Sequence, residues 1–100
     1  MSDNVKWTRE RILDEAKQCV CGNREQDYGT PEDAFQRIAD LWSAYFGFDD
    51  GFWKFKAVDV AVMLGLLKIA RLANNPEHMD SWVDLAGYAA CGGEIAGREP

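Results

Sequence analysis

The chain has 100 residues, 47% of them hydrophobic and 28% charged, with a formal net charge of -6. That length fits a single domain with one modest core, since a chain of this size buries only about 60–70% of its unfolded surface. The acidic balance excludes a phosphate-backbone binder, which needs clustered Lys and Arg to release counterions, and the apolar content excludes a disordered chain.

Gly22, Gly29-Thr30-Pro31, the stretch from Gly47 to Gly51 and Asn74-Asn75-Pro76 divide the sequence into four segments. The first, about residues 8–21, carries Ile12, Ala16, Cys19 and Val20 on one helical face. Thr8 is its expected N-cap, and Gly22 stands where a left-handed C-cap belongs. The second, about 31–46, opens on Thr30-Pro31-Glu32-Asp33: a cap, a proline at the first helical position and acids in the first turn. Phe35, Ile38, Leu41, Trp42, Tyr45 and Phe46 follow at helical spacing. The third, about 57–74, is apolar nearly all round from Val58 to Leu72 and reads as a central, buried helix. The fourth, about 77–96, carries Trp82, Val83, Leu85, Tyr88 and Ile95 among Ala86, Gly87, Ala89, Ala90, Gly92 and Gly93, small residues that admit a close neighbouring helix. No strand candidate emerges. The expected architecture is one all-α domain of four helices in a bundle-like arrangement.

The N-terminus has no apolar h-region. The longest apolar stretch, broken by Asp59, Lys68 and Arg71, falls short of the ~20 residues that span a bilayer. A soluble, cytoplasmic protein with no membrane or nucleic-acid partner is expected. Cys19, Cys21 and Cys91 suit neither a disulfide framework nor a zinc site and read as small apolar residues.

Five features carry candidate chemistry. The loop from Gly22 to Gly29 leads into a capped helix start, where free amides attract anions, and Arg24 and Tyr28 would complete a phosphate site; a polar connecting loop is the alternative. Asp80 and Asp84, one turn apart, would hold a hard cation such as Mg²⁺ with Asp59 as a third ligand; otherwise Asp80 caps its helix and Asp84 pairs with Lys68 or Arg71. Lys68 and Arg71, cations on an apolar helix, bind phosphate at a cleft or form structural pairs. His78, the sole histidine, reads as a solvated residue at a helix start. Finally, the aromatic stretch from Phe46 to Phe55 is expected to bury itself against a second subunit through Phe48, Phe52, Trp53 and Phe55, giving a homo-oligomer; stacking on a nucleobase is the alternative.

Asn23-Arg24 with Tyr28-Gly29, Ile38-Ala39, the run from Leu41 to Tyr45, Leu66 to Leu72 and Asp80 to Ala89 resemble a small uncharacterised domain family of phages and prophages. That resemblance covers nearly the whole chain and places the protein in a bacterial host cell. More remotely, the helical plan is similar to the MazG-like nucleoside triphosphate pyrophosphohydrolases, which typically carry an E-x-x-E pair and a later E-x-x-D pair binding magnesium. Glu77 and Asp80 match E-x-x-D; Glu32 with Gln36 is the nearest approach to the first pair. The resemblances imply a protein handling a small phosphorylated nucleotide. An enzyme of that group would cleave a nucleoside triphosphate between the α and β phosphates, with Mg²⁺ polarising the phosphate and activating water. Two alternatives are a non-catalytic sponge sequestering a nucleotide signal of host immunity, an anti-defence role, and a module gripping a host protein.

Overall fold

The computed structural model describes residues 6–22, 29–48 and 53–98. It is all-α: α1 (Arg9–Cys21), α2 (Pro31–Phe46), α3 (Ala57–Asn74) and α4 (Met79–Arg98). The α3–α4 hairpin is the closest-packed pair; α1 lies on α4 and α2 on α3, while α2 and α4 touch only lightly. The result is elongated, 57 × 30 × 25 Å with a radius of gyration of 15.6 Å, against about 13 Å for a compact 100-residue domain. No helix among the described residues is long and apolar enough to cross a membrane.

The helix ends follow from local chemistry. The Thr8 and Thr30 hydroxyls accept from the amides of Arg11 (3.1 Å) and Asp33 (3.2 Å). α2 stops at Gly47, whose φ of 79° is the left-handed conformation that glycine adopts without penalty. Gly22 differs from expectation. Its φ is -85°, so handedness is not what the position requires; a Cβ there would lie 2.5 Å from the Gln18 carbonyl oxygen, and that clash selects glycine. At the hairpin, the Asn75 side chain accepts from Glu77 N (3.1 Å) and Trp82 Nε1 donates to Pro76 O (2.9 Å). α4 begins only at Met79, so Asp80 sits in its first turn and does not cap it. His78 Nδ1 instead lies 2.7 Å from the hydroxyl of the buried Ser81.

Small residues set the α3–α4 spacing. A Cβ on Gly92 would stand 2.9 Å from the Ala61 Cβ, and one on Gly65 would stand 3.4 Å from Leu85 Cδ1; on the α1 side, one on Gly87 would meet Val20 at 3.1 Å. The core is correspondingly built from small side chains: Ala16, Ala39, Ala57, Val60, Ala61, Cys91, with Leu72, Val83 and Ile95. Many of the larger apolar side chains lie outside it. α3 is central but not buried all round: Val62, Met63, Leu66, Leu67 and Ile69 are 39–59% exposed. The reason is geometric, since α4 and α2 cover only the face of α3 that carries Ala57, Val60, Ala61, Gly65 and Leu72.

The aromatic stretch packs largely on itself. Phe48, Trp53 and Phe55 meet pairwise at ring-centroid distances of 5.2, 5.1 and 6.1 Å, and Trp42 and Phe46 close on Phe55 at 5.8 and 5.7 Å. Buried Ser43 fastens this linker to α2, its hydroxyl accepting from Phe55 N and its carbonyl from Phe48 N, both at 2.8 Å. Part of the aromatic surplus is therefore a satellite core at the α2–α3 connection. Tyr45, Phe46 and Trp53 remain 86, 59 and 51% exposed. Phe52 lies outside the described residues.

Candidate ligand cleft

Because α1 rests on α4 and α2 on α3, a cleft of about 370 Å³ opens between them, floored by the hairpin. Apolar walls come from Val20, Ala34, Ile38, Leu64 and Val83. Phe35 and Tyr88, with ring centroids 6.3 Å apart, give it an aromatic side. Gly29 and Pro31 bring the N-terminus of α2 to its edge. The volume and the mixture of an apolar lining with few polar groups are those of a small-molecule site.

Asp84 is the one acid among the lining residues. Its Oδ2 lies 2.9 Å from Lys68 Nζ, with side-chain exposures of 39% and 11%. The lysine thus turns inward from α3 and holds the carboxylate at the wall; it serves Asp84 and does not reach for phosphate on its own. Arg71, one turn on, is exposed and lines a separate shallow depression with Asn74, Asn75 and His78 at the hairpin end. Lys68 and Arg71 do not converge. Arg24 and Tyr28 lie outside the described residues.

The proposed metal ligands are also separated. Asp59 accepts from the Lys56 amide (2.9 Å) and so closes the start of α3. Ala61 faces Gly92 across the hairpin, which sets Asp59 near the C-terminal half of α4. Asp80 lies 12 residues before Gly92, a rise of about 18 Å. No group of three His, Cys, Asp or Glu among the described residues is placed to hold a metal ion. The three carboxylates do not fit a shared Mg²⁺ site.

Two features escaped sequence reasoning. Arg98, near the chain end, bridges Glu32 of α2 and Glu94 of α4, tying the start of α2 to the end of α4. It also offsets an acid in the first turn of α2, where negative charge would oppose an anion. Cys19 and Cys91 line the cleft, Cys19 half-buried and Cys91 buried, whereas Cys21 is exposed and contributes no core. Side-chain patterning does not reveal which helices leave a gap between them.

Fold and cleft together define an all-α bundle that keeps a small-molecule-sized opening between two helices carried on a central hairpin. The chain belongs to the family described as Domain of unknown function (DUF6378), whose model matches residues 11–96. It is similar to the Gene 55 protein of Mycobacterium phage L5, 49% identical over 78 residues that make up 78% of this chain and 47% of that protein. It is also similar to the Gene 55 protein of Mycobacterium phage D29, 40% identical over 82 residues, 82% of this chain and 51% of that protein. The chain spans about half the length of these curated relatives. No solved structure matches it.

Proposed function

We propose that the protein is a phage-type nucleotide-handling domain that binds a small phosphorylated nucleotide in this cleft and releases it chemically unchanged. One observation carries the reading. The cleft joins an aromatic side (Phe35, Tyr88), a fixed carboxylate (Asp84) and a helix N-terminus (Pro31 of α2) within one small-molecule-sized space. A planar base fits against the rings. Asp84 accepts hydrogen bonds from a base amino group or sugar hydroxyls, and Lys68 keeps it in place. The phosphates extend toward the start of α2, where backbone amides and the helix dipole favour an anion and where the Glu32–Arg98 pair moderates the local acid. Residues 23–28, with Arg24, connect in sequence to this edge.

The separation of Asp59 from Asp80 favours retention over hydrolysis, because metal-assisted phosphoryl chemistry needs its carboxylates on one ion. The MazG-like comparison and the sponge reading therefore differ in one measurable outcome. Calorimetric titration of the purified protein with linear, cyclic and ADP-ribose-type nucleotides is expected to find a ligand that is recovered intact on denaturation. Phe35→Ala and Asp84→Asn should each weaken it at least about tenfold, the loss of a well-placed contact. Absence of binding across the set, or binding indifferent to both changes, rejects the reading; release of pyrophosphate restores the enzymatic alternative.

A further inference from the structure

The hydrogen-bonding groups of the cleft are lopsided. Among the described lining residues Asp84 carries the only charge, and no Lys, Arg, His, Asn or Gln lines the space beside it. The carboxylate is also under-used. A carboxylate has about four acceptor sites over its two oxygens. Lys68 Nζ takes one of them, on Oδ2, and no other donor among the described residues reaches either oxygen. Tyr88 stands one turn further along α4, so its Cβ lies about 6 Å from that of Asp84 on the same face of the helix. A base laid on the Tyr88 ring therefore turns an edge to the carboxylate, and that edge must consist of donors.

We infer that the base this cleft selects is guanine, resting on the nucleotide binding proposed above. The Watson–Crick edge of guanine sets two donors side by side, N1–H and the 2-amino group. A carboxylate accepts such a pair in the bidentate manner in which it accepts a guanidinium. Every other common base brings an acceptor against the anion. Adenine flanks its 6-amino group with N1 and N7, cytosine sets N3 beside its 4-amino group, and the N3–H of uracil or thymine lies between two carbonyls. No cationic side chain among the described lining residues is there to satisfy those lone pairs. Lys68 contributes by fixing the carboxylate from behind through Oδ2, which leaves Oδ1 wholly to the ligand. A site built on paired donors rejects an analogue that lacks one, because a buried acceptor is then left without a partner.

Calorimetric titration of the full chain with the 5′-monophosphates of guanosine, inosine, adenosine and xanthosine, alike in sugar and phosphate, tests the assignment. Guanine is expected to bind at least about tenfold more tightly than hypoxanthine, which lacks the 2-amino donor, and than adenine or xanthine. Asp84→Asn sets an amide donor opposite the 2-carbonyl of xanthine, so it should shift the ratio of guanine to xanthine affinity at least about tenfold toward xanthine. Its helical circular dichroism should be retained, since Asp84 keeps 39% of its side-chain exposure. The wild-type base series decides the matter even where the variant does not fold. Equal affinity for the four bases, a preference for adenine, or an unchanged ratio in a folded Asp84→Asn chain overturns the guanine assignment; nucleotide binding in the cleft then still stands if Phe35→Ala weakens it. Absence of binding by all four overturns both.

Discussion

Lys68 and Asp84 make an ion pair whose members are unequally buried, and that inequality predicts unequal consequences. The two groups meet at 2.9 Å, but Lys68 retains 11% of its side-chain exposure and Asp84 39%. Asp84→Ala strands an ammonium that is mostly removed from water. Lys68→Met leaves a carboxylate that solvent reaches, and methionine preserves the apolar stem. Losing one partner of a fully buried pair costs about 3–5 kcal/mol, and an exposed pair is worth about 0–1 kcal/mol. Asp84→Ala is placed by the lysine's burial at about 2–3 kcal/mol, and Lys68→Met by the acid's exposure at under about 1 kcal/mol. At about 4–8 °C per kcal/mol for a domain of this size, the melting points should fall by about 8–24 °C in the first case and under about 8 °C in the second. The assay is thermal and urea unfolding by circular dichroism at one fixed protomer concentration, since self-association would shift the midpoint. Lys68→Met/Asp84→Leu should be more stable than Asp84→Ala alone, because no unpaired charge remains. Equal losses, or a larger loss from Lys68→Met, would refute this account of the pair.

Three further outcomes are expected from the same unfolding measurements. Gly92→Val adds side-chain bulk where a Cβ alone would already stand 2.9 Å from Ala61 Cβ, so it should cost about 2–3 kcal/mol by forcing α3 and α4 apart. Ser43→Ala leaves the Phe55 amide without its 2.8 Å acceptor in a part-buried setting; a loss of about 1–2 kcal/mol, with a blue-to-red shift in tryptophan emission from the linker, is expected. Thr30→Ala removes the acceptor for Asp33 N and should cost about 1 kcal/mol, together with weaker ligand binding at the adjoining edge of the cleft.

Helix positions were legible because each carries its own local signal. Thr30-Pro31 and Gly47 bracket α2 from within, and the apolar run from Ala57 to Asn74 has no competing strand pattern. The small residues of α4 announced close packing, and Gly92 against Ala61 realises it. What remained hidden depends on three-dimensional placement. Asp59 and Asp84 look alike in sequence, yet one closes a helix start and the other lines a cleft. Lys68 and Arg71 are three residues apart, yet one turns inward and the other lies at the hairpin surface. α3 read as buried on all sides because its composition does not record how many neighbours the fold supplies. Arg98 gave no signal, since its partner Glu32 is 66 positions away.

Ligand binding in the cleft between α1 and α2 can be followed residue by residue. The direct measurement is a titration of ¹⁵N-labelled protein with the nucleotide set, followed by amide chemical shifts. Saturable shifts are expected at Gly29, Phe35, Ile38, Asp84, Gly87 and Tyr88, with the outer face of α3 unaffected by ligand. Shifts confined to Arg71, Asn74 and His78 at the hairpin end, or no saturable shift with any nucleotide, would contradict it.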